Sequence, residues 1–393
     1  MALNSVSVTR SLTILLKDFL QKESASGFLL VGCTVLSLLL ANSPVGRSYL
    51  HVWHVPLAGQ ALEYWINDGF MAIFFLLVGL EIKRELMVGE LSQWRAAMLP
   101  VFAALGGMIC PALLHLSLNI GTPTQAGSGI PMATDIAFAL GALMLLGKRV
   151  PLSLKVFLTA LAIIDDLGAI VVIATFYSTG LSLLYLSAAA GIFVVLAGLG
   201  RLKVHHPAPY VLLGVVAWYC MLHSGIHATI AGVVLAFVLP FGDGSPASLS
   251  YRVQHGLHKP VAFLILPLFA LANTGIVIPS GWVEGLASAN SLGIMAGLLL
   301  GKPVGIFLFS VLAIRLGLCT LPADLTRWHV LAAGMLGGIG FTMSVFIALL
   351  AFADPALLVA SKIAIMVSSV VAAGLGVAGL GWMGRDKGRG INE

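Results

Sequence analysis

Charge is what this sequence has least of. Its 393 residues include only 21 Lys and Arg and 16 Asp and Glu, 9% of the chain, while 59% are hydrophobic. Soluble domains carry roughly 25% charged residues, so a water-soluble enzyme is excluded: too little polar surface exists to cover one. The same figures exclude disorder, collagen and coiled coil. The formal net charge of +5 is spread over loops rather than massed in one patch. Nucleic acid is therefore not expected as a partner, and charge so placed faces anionic membrane lipid. The four cysteines, Cys33, Cys110, Cys220 and Cys319, stand in apolar runs without ligand spacing. They read as small buried hydrophobes, with neither a disulfide frame nor a metal site.

Catalytic and nucleotide motifs are missing as well. The nearest approach to a P-loop, GLLLGKP at 297–303, is one residue short and has Pro303 where Ser or Thr must stand, so no nucleotide drives the protein. Neither GxSxG nor HExxH occurs. FGDG at 241–244 falls in a loop and gives no intramembrane aspartyl protease. An enzyme reading has little left, and no cofactor is expected. Residues 1–26 lack an apolar core followed by a small-residue cleavage site, so no cleaved signal peptide is read. Residues 10–23 instead suit an amphipathic helix lying at the membrane interface.

Long apolar runs are what the chain does have. About 20 apolar residues cross the hydrocarbon core. Hydropathy with Gly, Pro and polar breaks gives twelve candidate spans: 27–41, 61–86, 96–118, 124–146, 152–177, 182–200, 207–222, 226–239, 252–277, 288–316, 327–350 and 357–381. The expected fold is thus an all-α integral membrane protein of about twelve transmembrane helices. With that count, 18 of the 21 Lys and Arg fall on one side, from Arg10, Lys17 and Lys22 before the first span to Arg385, Lys387 and Arg389 after the last. Only Arg47 is opposite, and Lys302 and Lys362 lie inside spans. Positive residues resist translocation, so the crowded side is cytoplasmic and both termini are inside. The outer loop 43–60 carries aromatic and β-branched residues at 49–55 between turn signals, which suits either a short β-hairpin or an interfacial aromatic anchor.

Ionisable groups at mid-membrane are costly unless paired or hydrated, and so mark function. Asp165 and Asp166 stand in the middle of LTALAIIDDLGAIVVIATF. Adjacent helical residues are about 100° apart, so one carboxylate can line a cavity while the other faces a neighbouring helix. Two carboxylates this close repel and share protons as a coupled pair. Deprotonated, they are hard oxygen ligands for a small cation; protonated, they release it. Asp135 follows Gly127, Gly129 and Pro131, which interrupt the fourth span. Backbone freed at that depth is tolerated only where it is buried or faces a cavity. Thr134 offers a hydroxyl ligand, and Asp135 either ligates a cation or neutralises the positive N-terminus of a half-helix. Gly334, Gly337, Gly338 and Gly340 break the eleventh span in a matching way. Two interrupted spans in corresponding halves point to a transporter site built on inverted repeats, here 96–177 and 288–381, although such glycines also serve close helix packing. Lys302, inside the tenth span, needs a carboxylate partner among Asp165, Asp166 and Asp135.

At the cytoplasmic edge, Glu81 and Glu85 share a helix face with Lys83 and Arg84 interleaved. They form either a solvated helix end or a charge network. With His255 and His258 near the start of the ninth span, Glu81, Arg84 and Glu85 form a cluster able to sense internal pH. His223 and His227, four residues apart, have metal-ligand spacing without the Glu of a zinc motif.

The strings INDGFMAIFFLLVGLEIKREL, MATDIAFALGAL, LTALAIIDDLGAI, HSGIHATIAG, ILPLFALANTG, GKPVGI and LGGIGFTMSVFIALLAF resemble bacterial NhaA-type sodium/proton antiporters over nearly the whole chain. The resemblance implies a fold with two interrupted, crossing helices. It divides the chain into a cytoplasmic segment 1–26, a transmembrane antiporter domain 27–381 and a cytoplasmic tail 382–393. It implies exchange of one Na⁺ or Li⁺ for two protons across the bacterial inner membrane, electrogenic and pH-regulated, with no metal beyond the transported Na⁺. Asp166 looks like the cation-binding carboxylate and Asp165 like its neighbour in exchange. Asp135, Thr134 and Lys302 match positions that compensate the crossing helices, and Asp68 matches an acidic residue on the outer funnel. Glu81, Arg84, Glu85, His255, His258 and His227 match residues linked to pH response. The 45–58 segment resembles a hairpin joining two protomers in a homodimer. Gln254 departs from the pattern, standing where relatives carry a Glu, and cannot titrate. Two other transport readings remain: a passive cation channel, which would conduct without proton coupling, and an organic-anion transporter on the same fold, which would need a wider, less acidic cavity.

Overall fold

Residues 25–178 and 180–389 are described in a computed structural model; the expected interfacial helix at 10–23 lies outside the described residues. Glycine and proline divide this chain into helices. The first, α1 (Ala25–Ala41), is followed by a short outer helix α2 (Gly46–Trp53) and a two-stranded hairpin, β1 (Pro56–Leu57) and β2 (Gln60–Ala61). Long helices follow: α3 (Leu62–Met87) and α4 (Trp94–Asn119). A 3₁₀ segment, Pro123–Met132, leads through an extended break into α5 (Ile136–Met144). Next come α6 (Leu152–Phe176), α7 (Leu183–Arg201), α8 (Pro207–Leu222), the short α9 (Ile230–Val238) and α10 (Leu249–Thr274). A surface helix α11 (Trp282–Leu286) precedes α12 (Ala289–Arg315), the pair α13 (Arg327–Gly337) and α14 (Phe341–Ala351), and α15 (Pro355–Arg389).

Among the described residues, seven helices are long and apolar enough to cross a membrane, and up to nine spans result if each bent pair counts as one. The bent pairs are Pro123–Met132 with α5, at 43°, and α13 with α14, at 50°. Apolar α1 and α8 are shorter. Leu183 and Val194 on α7 and Leu212 and Val215 on α8 are exposed. In water such a surface would drive association, whereas lipid accepts it.

The outer loop differs from the sequence reading in where its strands fall. Residues 49–55 do not form a strand; most of them belong to α2. Tyr49 and Trp53, one turn apart, meet edge to face at 5.8 Å, and the Tyr49 hydroxyl donates to the Leu271 carbonyl at 2.8 Å. The ring contact within α2 and the hydrogen bond to α10 reward a helical spacing over an alternating one. The hairpin forms immediately after, with Pro56 opposite Ala61 and Leu57 opposite Gln60. Ala58 (φ 50°) and Gly59 (φ 85°) supply the two left-handed residues that a tight two-residue turn requires.

Two glycine seams bring backbones together where the site is built. Gly106 on α4 lies against the carbonyl of Gly305 on α12, and Gly305 lies against that of Gly106. Gly232 on α9 sits on the Ala72 carbonyl of α3. Small residues allow this close approach, which is how helices gain packing energy without a hydrophobic drive between them. α12 carries a π-turn at Gly297–Gly301, directly before Lys302. Such turns widen a helix locally and often occur at functional positions.

Candidate functional site

The breaks of the two bent pairs meet beside the middle of α6. Three hydrogen bonds to backbone carbonyls tie the breaks to one another. The Asp135 N–H donates to the Ile339 carbonyl at 2.7 Å. The Ser344 hydroxyl donates to the Ile130 carbonyl at 2.7 Å. Thr134 Oγ1 lies 2.9 Å from the Gly337 carbonyl and 2.7 Å from Asp165 Oδ2, with one proton to give to either. Backbone groups released by the breaks are thus satisfied inside the protein, as the membrane interior demands.

Half-helix ends leave uncompensated dipoles, and side chains answer them. Asp135 is the N-cap of α5, with Oδ1 accepting from the Phe138 N–H at 3.0 Å. Its Oδ2 accepts from the Thr342 N–H at 3.1 Å and from the Thr342 hydroxyl. Thr342 is in the first turn of α14, so one carboxylate faces two positive helix ends. At the opposite polarity, Lys302 donates to the Met132 carbonyl, the last residue of the 3₁₀ segment.

Asp165 and Asp166 are 1% and 3% exposed, and Lys302 is fully buried. Their surroundings differ. Lys302 Nζ is 2.9 Å from Asp165 Oδ2, so Asp165 is held by an ammonium as well as by Thr134. Asp166 instead lines a narrow funnel, a cavity of about 40 Å³, together with Thr134, Asp135 and Thr342. The buried Oδ1 atoms of both carboxylates have no hydrogen-bond partner. A buried, unpartnered carboxylate oxygen is costly, and a proton or a small hard cation would satisfy it. Among the described residues, no group of three His, Cys, Asp or Glu side chains converges as for a resident metal.

Glu81 on α3 and His258 on α10 also line the wall, with His258 Nε2 3.0 Å from Glu81 Oε1. Arg84 lies over the Tyr251 ring, 5.5 Å from its centroid, and Tyr251 stacks on His255 at 5.9 Å with 6° between the rings. Glu85 is half-buried one turn beyond Glu81, and Gln254 is buried. Glu81, Arg84, His255 and His258 therefore stand at one end of α3 and α10. The other end of α3 carries Asp68, about 20 Å away at 1.5 Å per residue. Asp68 Oδ1 is 3.4 Å from His227 Nε2, whose Nδ1 is 2.9 Å from the Thr229 hydroxyl. His227 belongs with Asp68 rather than with the His255–His258 cluster. His223 packs against the rings of Tyr185 and Tyr219 instead.

Two contacts escaped the sequence reading. Thr342 is one; its only signal was a hydroxyl two residues after Gly340. The other is Lys83, whose Nζ lies 2.7 Å from the Phe237 carbonyl and 3.3 Å from that of Ala236. A cation there offsets the negative end of α9, and its sign at a helix terminus was hidden by its charged neighbours.

Comparison with known proteins follows the same lines. The family described as Na⁺/H⁺ antiporter 1 matches residues 17–380. The Na(+)/H(+) antiporter NhaA of Cytophaga hutchinsonii is 59% identical over 365 residues, 93% of this chain and 94% of that protein. That of Dechloromonas aromatica is 58% identical over 363 residues, 91% and 93% of the two chains. That of Citrobacter koseri is 50% identical over 380 residues, 94% and 97%.

Proposed function

This chain belongs to the Na⁺/H⁺ antiporter 1 family, and from that premise we propose how it works. It is a multi-pass membrane protein that exchanges Na⁺ for H⁺. It acts as a transporter and not as an enzyme, since neither ion is covalently altered. Its spans number twelve, with α1, α8 and the short α9 crossing alongside the longer helices and the bent pairs. The repeats 96–177 and 288–381 each contribute one bent pair. Both termini are cytoplasmic, and the membrane is the bacterial inner membrane; the bias of Lys and Arg to one side supports that orientation.

Asp165 and Asp166 carry the exchange. The single observation behind this assignment is that both are buried mid-helix beside two helix breaks, each with one oxygen unpartnered. In the inward-open state, Na⁺ or Li⁺ enters past Glu81 and His258 and meets deprotonated Asp166. Hydroxyl oxygen from Thr134 and the negative field of Asp135 add to the attraction. Reorientation exposes the ion to the other side, where protons take the carboxylates and displace it. Asp165 contributes by exchanging its Lys302 partner for the cation or a proton. Two protons return per Na⁺, so one net charge moves per cycle. The Glu81–His258 pair and the Arg84–Tyr251–His255 stack, with Glu85, regulate entry by pH, and Asp68 with His227 lines the outer path. Residues 45–58 join two protomers in a homodimer within the lipid.

The test is exchange in proteoliposomes carrying an imposed pH gradient and a pH-sensitive dye. Na⁺ and Li⁺ collapse the gradient, K⁺ does not, and Asp166→Asn abolishes the response while leaving the protein monodisperse. Exchange at normal rate in Asp166→Asn overturns the site assignment, and Na⁺ flux without proton movement favours a channel.

A further inference from the structure

Of the groups lining the funnel, Thr342 takes no part in the exchange cycle proposed above. Its hydroxyl and its N–H both donate to the same oxygen of Asp135, Oδ2, while Oδ1 of that carboxylate is held by the Phe138 N–H of α5. Each oxygen of Asp135 thus serves a different half-helix. Thr342 is 3% exposed and shares the funnel wall with Asp135 and Asp166. The other links between the breaks run through backbone carbonyls: Asp135 N–H to Ile339, Thr134 to Gly337 and Ser344 to Ile130. Among the described residues, the Thr342 hydroxyl is the one side-chain group that bonds a charged side chain from one break to the other, beside the N–H of the same residue.

We infer that Thr342 is a positioning residue of the exchange site: its hydroxyl holds the Asp135 carboxylate against the N-terminus of α14, and so fixes the negative field presented to the cation beside Asp166. The inference rests on the assignment of Asp166 as the cation-binding carboxylate. Hydrogen bonds to charged groups are the stronger ones. Without the hydroxyl, the carboxylate keeps the Phe138 N–H at 3.0 Å on α5 but is held to α14 by one N–H at 3.1 Å, and so is held less firmly to α14. The field at the cation then weakens, whereas the carboxylates that take the protons are untouched. Affinity for the ion falls more than turnover does.

Thr342→Val removes the hydroxyl at nearly constant volume, and Thr342→Ser keeps it. In proteoliposomes, Thr342→Val should raise the apparent KM for Na⁺ and Li⁺ about three- to tenfold, the range of one weakened charged hydrogen bond. Its maximal rate should stay within about twofold of the parent. Thr342→Ser should restore the parental KM. Melting in detergent, followed by tryptophan fluorescence, accompanies each variant. An unchanged KM in Thr342→Val overturns the inference. So does equal impairment in Thr342→Ser, which would assign the effect to the methyl group's packing, or a fall in maximal rate and melting temperature without a KM change. Asp166→Asn is assayed alongside. If it exchanges Na⁺ normally, the site assignment itself fails; if it is inactive and Thr342→Val is normal, only the positioning role fails.

Discussion

Lys302 has no contact with solvent, and its ammonium has two partners, Asp165 Oδ2 at 2.9 Å and the Met132 carbonyl. Removing one member of a buried ion pair leaves the other charge without compensation, typically costing about 3–5 kcal/mol, whereas replacing both can be nearly neutral. Lys302→Met alone should therefore lower the melting temperature in detergent markedly, and Lys302→Met combined with Asp165→Asn should recover most of the loss. Equal melting of the single and double variants would mean that the ammonium is held by the Met132 carbonyl and not by the carboxylate. Why this pair stood out in the sequence, and Thr342 did not, follows from the same energetics. An ionisable residue in an apolar span demands a reason, so Asp165, Asp166, Asp135 and Lys302 were visible at once. A hydroxyl demands none, because it can bond to its own helix one turn back. Thr34 does so to the Leu30 carbonyl and Thr274 to that of Ala270. Only the fold distinguishes Thr342 from these.

The helix breaks are the elements on which the site depends, and their signals were local. Gly127, Gly129 and Pro131 precede the 43° bend, and Gly334 to Gly340 surround the 50° one. The π-turns at Trp65–Phe70, Val261–Ile265 and Gly297–Gly301 gave no comparable sign, since a one-residue widening leaves the apolar pattern nearly unchanged. The helix at 46–53 was hidden for another reason: aromatic and β-branched residues suit a half-buried strand as well, and contacts with α10 decide between them. The α4–α12 seam holds the π-turn and Lys302 in place, and it has no room for a side chain. Gly305→Ala would drive a methyl into the Gly106 carbonyl, where no side chain can yield. A loss of about 3 kcal/mol, the upper part of the overpacking range, is expected, read as a lower melting temperature in detergent. Gly191→Ala on α7 is the control: nothing lies within 4 Å of its added carbon, and removing a helical glycine should stabilise by about 0.4–1 kcal/mol. Similar melting of both variants would show that α4 and α12 separate easily at this point.

Across the whole molecule, the consequence of the proposed stoichiometry is electrical. Two protons moving inward for each Na⁺ moving outward carry one net positive charge in, so an inside-negative potential drives Na⁺ out even when no pH gradient exists. A potential of 100 mV supplies about 2.3 kcal/mol per charge, equivalent to about a fiftyfold Na⁺ gradient at 1.4 kcal/mol per factor of ten. On that proposal Asp165 and Asp166, each with one buried oxygen lacking a partner, are the two places for the two protons. Vesicles loaded with ²²Na⁺ and K⁺, diluted into low-K⁺ buffer at equal pH, acquire an inside-negative potential when valinomycin is added. Na⁺ efflux through the protein should then accelerate, and reversing the K⁺ gradient should slow it. An electroneutral one-for-one exchanger would respond to neither. That result would leave one carboxylate protonated or ion-paired through the whole cycle, and Asp165, already bound to Lys302 and Thr134, would be the one.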